Sequence, residues 1–130
     1  MTAIAIQAGK TVTPVNEYEP IMKTYIAGEA LTTGVAVKLN SSGHVIKSVA
    51  ADALGVQIGI VIGTGALAAG AAVVVMMRGC LDGYDLSALA YGAGVFAGAA
   101  GVVDTAGTIS LGRVVSMSEY GGSKVLEVLL

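Results

Sequence analysis

The chain has 130 residues, of which 55% are hydrophobic, 12% are charged and 19 are glycine, and its formal net charge is −2. This length predicts one domain, and the scattered Lys and Arg residues form no basic stripe for nucleic acid. A single cysteine excludes an intrachain disulfide and a thiolate metal cluster. So few charges on an apolar chain predict a largely neutral surface that a partner covers.

The first 23 residues contain both prolines of the chain. Because proline lacks an amide donor and restricts the residue before it, this segment is predicted to be an extended N-terminal arm or a frayed terminus, with one domain over residues 24–130. As an arm it would dock on a neighbouring subunit, and its deletion would leave the β-rich body folded. Its anchors would be Ile4, Ile6, Val12, Val15 and Tyr18.

Residues 35–49 give the clearest hairpin signal, because apolar and polar residues alternate on both sides of an Asn40-Ser-Ser-Gly43 turn. The run 53–77 contains no charge, which admits a membrane-spanning helix. Its many glycines oppose a helix, however, and Gly63-Thr-Gly65 divides the run into two pieces of strand length, 56–62 and 71–77.

A second hairpin is predicted at 94–97 and 102–104 around a Gly-Ala-Ala-Gly turn, and two more strands at 112–118 and 123–130. A short helix is possible near residues 85–91. Several short strands at regular spacing indicate an all-β barrel or sandwich.

The pattern Leu-x-x-Gly-x-x-Val occurs three times, from Leu31, Leu67 and Leu89. The first and third copies open longer units, which continue to Leu54-Gly55 and to Leu111-Gly112. Such repetition predicts two related halves joined by the middle copy, and it gives the glycines a structural role rather than one in nucleotide binding.

Candidate chemical groups are sparse. His44 is the only histidine and lies at a predicted turn, and Cys80 lies in an apolar context that raises a thiol pKa. Asp82 and Asp85 are close in sequence, but no supporting partner is visible for acid–base chemistry. No catalytic, cofactor-binding or metal site is therefore predicted, and the chain is expected not to be an enzyme. A barrel enzyme that uses Cys80 or Asp82 is the remaining catalytic alternative.

The stretches 78–96, 101–106 and 111–116 resemble the capsid decoration, or cement, proteins of tailed phages, in particular the small β-tulip type. The unit from residue 28 to residue 43, with Leu54-Gly55, resembles the matching N-terminal half. The resemblance covers residues 24–130. The chain departs from the pattern at Phe96, where tyrosine is common, and in its apolar 98–101 turn.

The resemblance implies a compact β-tulip or barrel-like domain of short hairpins that binds the outer surface of an assembled icosahedral capsid. Such proteins are virion structural proteins, usually homotrimers, whose partner is the major capsid protein; they use no cofactor, nucleic acid or membrane. The arm residues would then contact the capsid or a neighbouring subunit. The alternatives are another phage structural component, such as a head-fibre base or tail protein, and a small membrane or pore-forming protein.

Overall fold

The computed structural model describes residues 3–8, 10–15, 20–49, 52, 56–63, 66–107, 109–117 and 123–129. Within these ranges the chain forms twelve β-strands, and the one helical element is a 3₁₀ turn at Ala99–Gly101. In chain order the strands are β1 (Thr13–Pro14), β2 (Ile21–Ile26), β3 (Leu31–Thr32), β4 (Ala36–Leu39), β5 (Val45–Lys47), β6 (Gln57–Ile62), β7 (Ala66–Leu67), β8 (Ala72–Asp82), β9 (Gly94–Ala97), β10 (Val103–Asp104), β11 (Ser110–Met117) and β12 (Ser123–Leu129). The predicted all-β, barrel-like fold is confirmed.

Ten of the strands form one strongly curled sheet, and β3 pairs with β7 separately. The path through the large sheet is β10-β9-β11-β12-β8-β6-β4-β5, and β1 and β2 pair with β8 as well. The long strand β8 therefore pairs with four other strands of this curled, half-barrel sheet, which we call the barrel. Val74, Val75 and Met76 each pair with both β2 and β6, so these two strands lie along opposite edges of β8.

Two main apolar cores fill the fold, and β8 contributes to both. Val73 and Val75 belong to the smaller core, whereas Met76 and Leu81 belong to the larger one. A third, small cluster joins Cys80 to two valines. Val75 and Met76 are consecutive and both buried, so β8 packs against both cores. Each fully buried aliphatic side chain stabilises the folded state by roughly 1.5–3 kcal/mol.

The predicted hairpins are present. In the first, β4 pairs with β5, and the side-chain oxygen of Asn40 accepts hydrogen bonds from the amides of Ser42 and His44 at 2.9 and 3.0 Å. Gly43 completes this turn with φ +78°. The second hairpin corresponds to β9 and β10, and the C-terminal strands correspond to β11 and β12.

The charge-free run forms strands rather than a helix. Its two predicted pieces are β6 and the first part of β8, which pair antiparallel with Ile60 opposite Met76. Over the described residues, no helix is long and apolar enough to cross a membrane. The prediction of a short helix near residues 85–91 is wrong, because this segment forms turns. The Asp85 carboxylate accepts a hydrogen bond from the Ser87 amide at 3.2 Å, which closes a local turn.

All three copies of the Leu-x-x-Gly-x-x-Val pattern form the same turn. Their glycines have nearly equal positive φ angles: Gly34 (+83°), Gly70 (+87°) and Gly92 (+85°). Each glycine amide donates a hydrogen bond to the carbonyl of a residue that is distant in sequence. The amide of that distant residue donates in turn to the carbonyl of the residue that follows the glycine, and all six hydrogen bonds are 2.7–3.0 Å long. The reciprocating residues are Val61, Ala27 and Val114 respectively. The repeat is thus a backbone clip, and glycine is favoured because this φ strains other residues.

The two longer units are equivalent in topology. In the first unit β4 pairs with β5 and β6, and in the second β9 pairs with β10 and β11. The third strands of the two units, β6 and β11, then pair with β8 and β12 respectively. The prediction of two related halves agrees with this arrangement, whereas the middle copy does more than join them, because it forms the same clip.

The sequence predicts that Gly112 of the second unit corresponds to Gly55 of the first, but the structure gives a different residue. Gly112 lies opposite Val95 in the second unit, and in the first unit Gly59 lies opposite Val37. A methyl group on Gly59 would overlap the backbone carbonyl of Met76 in β8, and one on Gly112 would overlap that of Glu127 in β12. Gly59 is therefore the equivalent residue, whereas the predicted Gly55 lies outside the described residues.

Candidate functional site

The N-terminal arm lies against the barrel of its own chain. The Ile4 amide donates to the carbonyl of Val103 at 2.7 Å, and Ile6 forms an antiparallel bridge with Tyr84. Further along, β1 pairs with the end of β8. The arm thereby covers the outer edge of β10 and extends the sheet beside β8.

The predicted arm anchors are placed inside this arrangement. Val12 and Val15 are fully buried, Ile4 is 8% exposed, and Ile6 packs against the larger core. Tyr18 lies outside the described residues. The four described anchors contact their own chain, and a partner could reach the buried Ile4, Val12 and Val15 only if the arm left its barrel, whereas Ile6 is half-buried. Their contact with a capsid or a neighbouring subunit stays a prediction.

Tyr84 fixes the junction between the arm and the first repeat. Its hydroxyl donates to the carbonyl of Gly34 at 2.6 Å, and burial raises the pKa of the phenol far above its ordinary value. A Cβ on Gly34 would lie only 2.9–3.1 Å from atoms of Val12, Ile6 and Tyr84. This position therefore needs glycine both for its φ and for the close approach of the arm. The sequence pointed to Gly34, but nothing local in it indicated Tyr84.

His44 and Cys80 do not come together. His44 is half-buried at the β4–β5 turn, where its amide contacts Asn40. Cys80 is fully buried with Val15 and Val125. Among the residues that the structure describes, no group of three His, Cys, Asp or Glu side chains is arranged to hold a metal ion.

Asp82 and Asp85 line one open cleft of about 360 Å³, together with Lys10 and Lys124. The Lys10 ammonium is 4.0 Å from Asp82. Ser87 donates its hydroxyl and its amide to Asp85, which holds the pKa of that carboxyl below its ordinary value. A general acid at neutral pH needs the opposite shift, so the cleft can form polar contacts but lacks a poised acid at Asp85.

A second polar group lies at the start of the loop after β5. Lys38 donates a hydrogen bond to Asp52, and Asp52 also accepts from Ser48 and from the Val49 amide. Ser48 in turn accepts from the buried side chain of Gln57 at 3.0 Å. Each of these contacts lies within the chain, which indicates a structural role for this network.

Of the ten large hydrophobic side chains that are exposed in the described part of the chain, four lie on β2 and on the strand beside it. We call this surface the β2 edge: it comprises β2 and Val74, which lies opposite Thr24. Its exposed hydrophobic residues are Ile21 (55%), Met22 (44%), Ile26 (42%) and Val74 (38%). Beside it, Ile21 and Arg78 line an apolar cleft of about 230 Å³.

Sequence reasoning missed this surface because it placed residues 21–23 in the extended arm and assigned no strand to residues 24–26, whereas β2 runs through both. The signal was present, since Ile-Met-Lys-Thr-Tyr-Ile has apolar residues at both odd and even positions. Such a strand normally has both faces buried. In this single chain most of it is exposed.

Comparison with protein families, with curated proteins and with solved structures finds no match for this chain.

Proposed function

We propose that this protein is a virion structural protein that binds the outer surface of an assembled icosahedral phage capsid and stabilises it. Its partners would be the major capsid protein and further copies of itself, in a homotrimer. The observation that carries the proposal is the pair of equivalent three-stranded units, each opened by the same glycine clip. These units overlap the stretches that resemble β-tulip decoration proteins.

The distribution of apolar surface supports the same function. The clefts lined by Asp82 and by Ile21 hold about 360 and 230 Å³ and are partly open to solvent, and buried apolar side chains fill the barrel interior. By contrast, four exposed aliphatic or thioether side chains gather at the β2 edge. An exposed apolar cluster on a body with few charges is typical of a protein that binds other protein surfaces.

Stabilisation of a capsid then follows from mass action. A protein that binds the assembled shell but not its separate subunits shifts the equilibrium towards the shell. Repetition by symmetry multiplies weak contacts, so no single deep site is needed.

Co-sedimentation tests the proposal. Shells assembled from the major capsid protein of the same genome are mixed with the folded protein and pelleted, and the heat-induced disruption of the shells is followed. The protein should pellet with the shells in a saturable amount and raise their disruption temperature. Retention of a well-folded protein in the supernatant, with unchanged shells, would refute the function. Labelling on intact particles would separate a capsid-surface position from a head-fibre base or a tail.

A further inference from the structure

The first part of the arm, residues 3–7, lies between two other segments of the chain and pairs with both. On one side the Ile4 amide donates a hydrogen bond to the carbonyl of Val103 in β10 at 2.7 Å. On the other side the Asp85 amide, in the segment that follows β8, donates to the carbonyl of Ala5 at 2.8 Å. We call residues 3–7 the arm strand and the place that they fill the slot. The slot therefore presents a backbone edge on each side of the strand that it holds.

The side chains of the arm strand alternate between the slot and the surface. Ala3 and Ala5 are exposed, whereas Ile4 is buried and Ile6 is half-buried. Both isoleucines line one wall of a cleft of about 220 Å³. A Cβ on Gly34 would lie only 3.0 Å from the Cδ1 atom of Ile6, so the floor of the slot fits this side chain closely. The slot therefore selects an extended segment with aliphatic residues at alternate positions.

The arm strand is held less firmly than the part of the arm that follows it. Val12 and Val15 are fully buried, and the Val15 amide donates to the carbonyl of Cys80 in β8 at 2.9 Å. In the arm strand only Ile4 is buried. Opening of the arm strand alone leaves both valines in place, and such local opening requires less free energy than global unfolding. It exposes both backbone edges of the slot together.

We propose that the slot is a binding site for an extended segment of a partner protein, and that the arm strand occupies it until such a segment takes its place. Main-chain hydrogen bonds on both sides supply affinity, and the positions of the alternate side chains supply specificity, as in other proteins that bind a peptide as an added strand. The arm strand shows the chemistry of the ligand: aliphatic residues two positions apart, as at Ile4 and Ile6, with small uncharged residues beside them.

This binding site goes beyond the proposed function, because it requires neither a capsid nor a trimer. It can be tested on the purified full chain, and its failure leaves the proposed function standing. The arm strand competes with any added peptide, so the apparent affinity of a peptide is its intrinsic affinity multiplied by the fraction of molecules in which the slot is open. The fraction of open slots therefore links peptide binding to the opening of the arm strand.

Peptide binding and hydrogen exchange test this competition together. The probe is a fluorescent peptide with the sequence of residues 3–8, and its binding is followed by anisotropy. Ile4→Ala changes the competing arm strand and leaves the rest of the slot unaltered. Loss of most of a buried aliphatic side chain should raise the open fraction roughly tenfold or more. The affinity of the peptide and the exchange rate of the Asp85 amide should rise by the same factor.

Val45→Ala is the matched control, because Val45 is fully buried in the smaller core and is not part of the slot. It should lower the free energy of unfolding and leave the affinity of the peptide unchanged. A peptide with serine in place of both isoleucines should not bind. Equal affinity of the probe for Ile4→Ala and the unmodified chain, or equal protection of the Asp85 and Val15 amides against exchange, would overturn the proposal.

A reversible disulfide tests whether the peptide binds in the slot. Ala3 lies opposite Asp104 in an antiparallel bridge, where Cα atoms are about 4.5–5.5 Å apart, which fits a disulfide. In the variant with both Ala3→Cys and Asp104→Cys, the oxidised monomer should not bind the peptide, and reduction should restore binding. Binding by the oxidised monomer would place the site elsewhere, and a disulfide-linked dimer would assign the slot to the arm of a second copy. Either result contradicts the proposal.

Discussion

Gly112→Ala offers the sharpest test of how the two halves of the barrel are built. Gly112 lies in β11 and has no positive φ, so its φ angle does not require glycine. A Gly→Ala change at a compatible position normally stabilises a protein by about 0.4–1 kcal/mol, because it restricts the unfolded chain. The structure predicts the opposite sign, since the new methyl group would overlap the carbonyl oxygen of Glu127 in β12.

The size of the effect follows from that overlap. The obstacle is a backbone atom, so it cannot rotate away, and β11 must move from β12 by roughly 1 Å, which lengthens the nearby ladder hydrogen bonds beyond their normal range. Loss of two or three such bonds, at roughly 1 kcal/mol each, together with roughly 1–3 kcal/mol of overpacking gives a destabilisation of about 3–6 kcal/mol. Gly59→Ala should be similar, because its methyl group would overlap the carbonyl of Met76.

Urea unfolding followed by circular dichroism measures this free energy. The matched control is Gly94→Ala in the neighbouring strand β9, where the nearest obstacle is the ring of Phe96 at 3.0 Å, a side chain that can move. Gly94→Ala should change the free energy of unfolding by less than about 1 kcal/mol. If Gly112→Ala were as stable as Gly94→Ala, or more stable than the unmodified chain, the equivalence of Gly59 and Gly112 as close-approach positions would be refuted.

Three further results are expected. Tyr84→Phe removes a buried hydrogen bond and leaves its carbonyl acceptor unpaired, so urea unfolding should show a loss of about 1–3 kcal/mol. Val12→Ala should cost about 2 kcal/mol in the same assay, against no more than about 0.5 kcal/mol for the exposed control Thr13→Ala, whereas equal effects would mean that the arm is not docked. The hydrogen bond from Lys38 lowers the pKa of Asp52 in the folded chain, so its stabilising contribution is complete above pH 3.8 and is lost as the pH falls through the lowered pKa. Stability measured against pH should therefore fall less steeply below pH 3.8 for Asp52→Asn, and parallel curves would contradict this.

The hairpins could be predicted from the sequence because their information is local. Alternation on both sides of Asn40-Ser-Ser-Gly43 specifies a turn that the Asn40 side chain then closes. The repeated Leu-x-x-Gly-x-x-Val pattern likewise reports a positive φ, which is a property of one residue. What it could not report was the reciprocal hydrogen bonds of each clip, since their partners lie far away in sequence.

The candidate surfaces were harder to predict, because the exposure of their side chains depends on which parts of the chain pack over them. Val12 and Val15 looked like free anchors, but the end of β8 and the glycine at position 34 leave room for the arm on its own barrel. Conversely, the apolar residues of β2 indicate a buried strand, and one chain leaves them exposed. Whether a strand is buried depends on what the rest of the fold covers, and its residue pattern alone does not report that.

The docked arm restricts the ways in which the proposed attachment to a capsid would occur. Ile4, Val12 and Val15 are buried, so detaching the arm would cost roughly 5–9 kcal/mol at roughly 1.5–3 kcal/mol for each side chain. That is comparable with the whole free energy of unfolding of a typical domain. A chain that released its arm to reach a capsid would therefore be close to unfolding unless the arm were exchanged for an equivalent arm of a neighbour. Deletion of the arm, expected from the sequence to leave the body folded, should instead destabilise it, and a loss of binding in such a variant would report folding rather than contact. Attachment through the exposed surface of an intact barrel, with the arm in place, requires no such rearrangement.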